Sequence, residues 1–148
     1  IWYVGFGHLY LYHFLAIDEF KPKSIKLDIK IYLQGAFSDN NKMNTTINSI
    51  IPNNQPFEID PWNYTGTETV SNIPNSEIVD WILVSLKNNP TDLESVARRA
   101  GFLKKDGHIV DLDGESPLRF STNPGSYYLQ IEQRNHLKVM SANSILLE

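Results

Sequence analysis

Residues 25–34, Ile25-Lys26-Leu27-Asp28-Ile29-Lys30-Ile31-Tyr32-Leu33-Gln34, alternate apolar and polar side chains almost without a break. In an extended chain successive side chains point to opposite faces, so Ile25, Leu27, Ile29, Ile31 and Leu33 would line a core while Lys26, Asp28 and Lys30 meet water. The pattern predicts a strand of an antiparallel sheet with one wet side, closed by Gly35. Working outward, further strand signals follow after Asn75, at residues 78–86, 95–103, 108–112, 118–120, 126–132, 137–142 and 145–147. Turn residues separate them: Asn88-Asn89-Pro90, Lys105-Asp106-Gly107, Asp113-Gly114 and Asn123-Pro124-Gly125. Asp106-Gly107 reads as a two-residue type I′ hairpin turn, in which both central residues need positive φ. Many short strands, frequent turns and scarcely any helix predict an all-β, antiparallel β-sandwich, immunoglobulin-like or related, over residues 21–148.

Composition narrows the function classes. At 148 residues the chain suits one domain, and such a chain buries roughly two-thirds of its unfolded surface without needing crosslinks. It has no cysteine, so disulfides, thiolate metal sites and a cysteine nucleophile are excluded. A net charge of -4 argues against nucleic-acid binding, which needs a basic face to displace counterions.

Two stretches break the strand pattern. Residues 1–16, IWYVGFGHLYLYHFLA, are aromatic-rich and lack acidic or basic side chains apart from His8 and His13. The run is too short and too interrupted for a membrane span, and it has neither the cationic start nor the cleavage site of a signal peptide. Residues 1–20 are read as an aromatic extension or the end of a preceding segment, the chain being a fragment; the parity of Trp2, Val4, Phe6, Tyr10, Tyr12 and Phe14 suits a strand. From Ser38 to Ser76 the composition turns to Asn, Thr, Ser and Pro. One or two helical turns are expected within residues 43–51. Phe57, Ile59, Trp62 and Tyr64 are expected to anchor the rest of this long Asn/Pro-rich loop.

Three further runs carry a likeness: Glu77 to Leu86 around Asp80-Trp81, Ala97 to Gly114 around Asp106-Gly107, and Tyr127 to Ser141 around Arg134-Asn135-His136-Leu137. In this order they resemble an uncharacterised C-terminal β-module of large secreted, hemagglutinin-like surface proteins of Bacteroidota-type bacteria. The likeness spans about residues 27–145 and leaves out the aromatic start. It implies an extracellular or cell-surface setting but carries no catalytic residue. Where that module often has a further histidine, this chain has Gln133, which puts a paired-histidine role in doubt.

Three groups of residues carry candidate chemistry. Arg134, Asn135 and His136 interrupt an apolar stretch; their donors and acceptors suit a sugar or a carboxylate, or a structural corner paired internally with Asp80 or Asp111. The corner is the preferred reading. Asp106, Asp111, Asp113 and Glu115 could offer oxygens to calcium, as acidic loops of extracellular modules do, or form the wet side of a strand and its turn. Trp62 and Tyr64 could make a stacking platform for carbohydrate, or pin their own loop. Trp81, between apolar neighbours, is expected in the core. No nucleophile elbow, phosphate loop or zinc helix is present. The expectation is a non-catalytic accessory module, structural or adhesive, joined to other domains or chains of a surface assembly; the alternative is a carbohydrate-binding module.

Overall fold

The computed structural model describes residues 23–38 and 40–148. The expected aromatic extension at residues 1–20 lies outside the described residues. The strands are β1 (Ile25–Leu27), β2 (Phe37–Ser38), β3 (Lys42–Met43), β4 (Ile78–Lys87), β5 (Ala97–Lys104), β6 (Ile109–Val110), β7 (Leu118–Phe120), β8 (Gly125–Gln133), β9 (His136–Met140) and β10 (Ile145–Leu147). The central sheet has the order β10-β8-β4-β5-β6, with β9 also paired to β8; β1-β7 and β2-β3 form two small ribbons. Every pairing between these strands is antiparallel. The domain is therefore all-β, built of antiparallel sheets that pack together, as the sequence predicts.

The layering differs from two sheets with wet outer faces. All ten residues of β4, IVDWILVSLK, are buried, because both faces of the central sheet are covered. Ile82, Val84 and Leu86 join Ile25, Leu27, Leu118 and Leu129 in one apolar cluster, beneath the β1-β7 ribbon. Trp81 and Leu83 join Ile51, Phe57, Tyr64 and Phe102 in a second, beneath the Asn/Pro-rich loop. A strand buried on both sides loses the polar alternation that marks a half-exposed one, and β4 reads accordingly as a near-continuous apolar run.

The opening stretch keeps its facing but not its length. Ile25, Leu27, Ile29, Ile31 and Leu33 all turn to the first cluster, yet only Ile25–Leu27 form a regular strand. The chain changes partner along the way: β1 pairs with β7, whereas Ile31 N–H donates to the Gly107 carbonyl at 2.9 Å and Ile109 N–H to that of Ile29 at 3.2 Å. Side-chain alternation reports the buried face and is blind to which backbone sits alongside.

The Asp106-Gly107 reversal is a hairpin of another type. Gly107 N–H donates to Lys104 O at 2.9 Å and Lys104 N–H to His108 O at 2.9 Å, and in this turn only Gly107 has positive φ, +91°. That is a three-residue loop whose last residue is left-handed; Asp106 bonds the backbone of His108 instead. Residues 43–51 form a single 3-10 turn, Asn48–Ile50. Asn48 is tied by its side-chain amide to the carbonyls of Asn75 and Ile78 at 3.1 and 2.9 Å. No helix among the described residues is long and apolar enough to cross a membrane.

Candidate functional site

The Arg134-Asn135-His136 cluster sits where β8 turns into β9, and its centre is Gln133. Tyr127, Leu129, Ile131 and Gln133 share the inward parity of β8, and all are buried. The strand therefore places an amide where the preceding residues place apolar groups, and burial demands partners for it. Gln133 Nε2 donates to Asp80 Oδ2 at 2.7 Å. Its Oε1 accepts the Asn135 N–H at 2.7 Å and lies 2.9 Å from His136 Nδ1. Asp80, only 1% exposed, also accepts from Arg134 at 2.6 Å and from the Trp81 N–H at 2.8 Å. A buried carboxylate is tolerated only when its lone pairs are occupied, and here three donors occupy them.

The geometry is that of a braced corner, with Asp80 and not Asp111 as the partner of Arg134. Asn135 itself is exposed and contributes its backbone to this network. Gln133, which the sequence reading noted only as a departure from the resembled module, is the residue it missed. The signal was present: a polar side chain on the apolar parity just before a turn. Leu33, Ala36, Ile47 and Val79 face the corner across an open cavity of about 340 Å³.

The four candidate calcium ligands do not converge. Asp106 faces His108, with 3.0 Å to the ring nitrogen; burial raises its pKa, but the bonds to His108 outweigh this and hold it below the usual range. Asp111 pairs with Arg99 at 2.7 Å. Asp113 accepts the amides of Glu115 and Ser116 at 2.9 and 2.8 Å, and bonding to Ser116 and then to the Glu115 amide keeps its pKa low. Glu115 pairs with Lys104 at 3.0 Å, which raises the lysine pKa against the opposing effect of burial. Among the described residues no group of three His, Asp or Glu side chains could hold a metal ion.

The loop aromatics divide. Phe57 is fully buried and Tyr64 is 7% exposed, whereas Ile59 is 69% exposed and anchors nothing. Tyr64 donates to Glu68 Oε1 at 2.6 Å and lies beneath the Arg98 guanidinium, 5.3 Å from the ring centroid. Burial first, then the Glu68 carboxylate, push its pKa well above the usual phenol value. The ring is therefore closed to a ligand. Trp62 remains half-buried, its ring edge-on to Phe57 at 5.5 Å and its carbonyl held by Arg98 at 2.9 Å. Trp81 is core, as expected, and its indole N–H donates to the Pro52 carbonyl at 2.7 Å, fastening the loop to β4. Set against protein-family models, curated proteins and solved structures, the chain matches none of them.

Proposed function

We propose that this domain is a non-catalytic accessory module of a secreted or cell-surface bacterial protein, with a structural or adhesive role among other domains or chains of a surface assembly. Its kinship with the Bacteroidota-type module and with immunoglobulin-like sandwiches belongs to the same reading. One observation carries it: the polar cluster most suggestive of chemistry, Arg134 to His136, is bound up with Gln133 and a buried Asp80 in joining three strands. A reactive group must be free to meet substrate, whereas here Gln133, His136 and the Arg134 terminal nitrogen are tied within the corner, only Arg134 Nε among its buried side-chain atoms lacking a partner among the described residues. Two measurements test the reading. In bacteria producing the epitope-tagged protein, external protease should remove the tag from intact cells; tag retained in the cytoplasm refutes the surface setting. Glycoside, ester and phosphomonoester substrates should not turn over, and any turnover lost on Asp80→Asn refutes the absence of catalysis.

A further inference from the structure

We infer that the loop-covered face of the central sheet carries a binding subsite for a neutral saccharide, at the end that the loop leaves open. The pairing of β5, β4 and β8 sets Arg98, Ser85 and Gln130 side by side in one row. On this face β4 runs Trp81, Leu83, Ser85, Lys87: apolar under the loop, polar beyond it. Over the same stretch the opposite face stays apolar, with Ile82, Val84 and Leu86. The change of character is thus confined to one face and begins where Trp62 ends the loop's cover. There the row becomes the floor of an open cleft of about 430 Å³, with Trp62 and the 88–95 turn as walls. That volume is in the range of small-molecule sites, about 300–1,000 Å³.

The floor is not a self-satisfied polar patch. Ser85 is 1% exposed, and its hydroxyl has no hydrogen-bond partner among the described residues. Gln130 is 8% exposed. Glu132 lies 3.8 Å from Arg98, too far for a hydrogen bond. A hydroxyl, an amide, a carboxylate and a guanidinium at strand spacings of about 4.8 Å present mixed donors and acceptors across the span of one pyranose ring. Lys87, Arg98 and Lys138 are matched in charge by Asp92, Glu94 and Glu132, so the cleft selects against a strongly charged ligand. A half-buried indole at the rim supplies the apolar surface that the carbon-bound hydrogens of a sugar require.

This site differs from the carbohydrate-binding alternative that the sequence offered on Trp62, Tyr64 and Arg134. Trp62 is common to both; Tyr64 and Arg134 are engaged internally, and Arg98, Ser85, Gln130 and Glu132 take their place. It does not depend on the accessory-module reading, since an enzyme could carry the same subsite.

The test titrates the full chain with neutral hexaoses of glucose, mannose, galactose and xylose, and with a hexauronate as the charged probe, by calorimetry and tryptophan fluorescence. At least one neutral hexaose should bind. Gln130→Ala and Trp62→Ala should each weaken that binding at least about tenfold, about 1.4 kcal/mol, while Asn135→Ala, at the corner, should leave it unchanged. If Trp62→Ala does not fold, Gln130→Ala with the parent melting temperature carries the comparison. No binding by any neutral hexaose, binding indifferent to Gln130→Ala, or tighter binding of the hexauronate each overturns the assignment.

Discussion

Replacing Gln133 by alanine removes the centre of the β8-β9 corner while leaving every strand sequence otherwise intact. Three contacts go: Nε2 to Asp80 Oδ2 at 2.7 Å, and Oε1 to the Asn135 N–H and His136 Nδ1 at 2.7 and 2.9 Å. The first matters most, because Asp80 is 1% exposed and water cannot easily replace a donor there. Leaving a buried charged acceptor short of one partner costs about 1.5–3 kcal/mol. The Asn135 amide and His136 are nearer solvent, and together their loss adds about 1 kcal/mol. A total of about 3 kcal/mol corresponds to a fall in Tm of about 6–12 °C for a domain of this size. Thermal and denaturant unfolding followed by circular dichroism would measure it. Arg134→Ala takes the cationic partner from the same buried carboxylate, so despite its own 29% exposure it should cost a similar amount, about 2–3 kcal/mol. Asn135→Ala should cost under about 0.5 kcal/mol, as a surface change away from the bonded groups. Gln133→Ala and Arg134→Ala should thus each cost far more than Asn135→Ala. A Gln133→Ala variant melting within about 2 °C of the parent, or an Asn135→Ala variant as unstable as it, would falsify the placement of Gln133 at the hub.

Other perturbations separate the remaining features. Gly101→Ala would set a methyl 2.5 Å from the Val110 carbonyl oxygen and 2.8 Å from Leu118 Cδ1; with backbone on one side it should cost about 1–3 kcal/mol, read as a lower denaturant midpoint, and unchanged stability would show that β6 yields freely. The Asp113 carboxyl titrates below its ordinary value, so its ionised form adds stability above about pH 3.9, which is lost as pH falls through the depressed folded value. Asp113→Asn should therefore be less stable than the parent at pH 7, with the gap closing in acid; a gap independent of pH refutes this. Millimolar calcium should not move the melting temperature, because each candidate carboxylate has a separate partner, and a rise of several degrees would contradict that geometry. Ser85→Ala removes a buried hydroxyl without a protein partner. It should raise Tm by about 2–4 °C, the equivalent of about 1 kcal/mol, while weakening hexaose binding; a lower Tm shows that the hydroxyl is satisfied in the empty fold.

Much of the architecture was legible because burial writes itself into parity. The strands Leu118–Phe120 and Ile145–Leu147 fall where alternation and turn residues place them, and Ile25 to Leu33 face the core throughout. Partner choice was not legible, since a side chain records which face it buries and not which backbone lies beside it. The same limit explains the Asp106-Gly107 turn: two loop lengths share that dipeptide, and the number of residues excluded from pairing decides between them. At the corner, the sequence singled out the charged Arg134 and passed over Gln133, whose parity was the better guide. Tyr64 was left between a sugar platform and a pin for its own loop, because exposure of a loop aromatic depends on what folds over it, here Arg98, which lies 34 positions away.

The two faces of β4 illustrate how covering, and not strand sequence alone, distributes polarity. On the side of the β1-β7 ribbon, Ile82, Val84 and Leu86 are buried and stay apolar. On the other face the loop reaches only to Trp62, and an apolar continuation past it would leave a greasy groove inviting association. Polarity at Ser85 and Lys87 removes that hazard, but it does not explain why both side chains are 7% exposed or less. A wet surface would suffice for solubility and would involve no desolvation of the serine hydroxyl. Walls raised over a polar floor lower stability in the empty protein, and they become favourable when a ligand supplies the missing hydrogen bonds while its ring displaces water against the indole. The stabilisation expected from Ser85→Ala and the loss of binding expected from the same change thus have one origin.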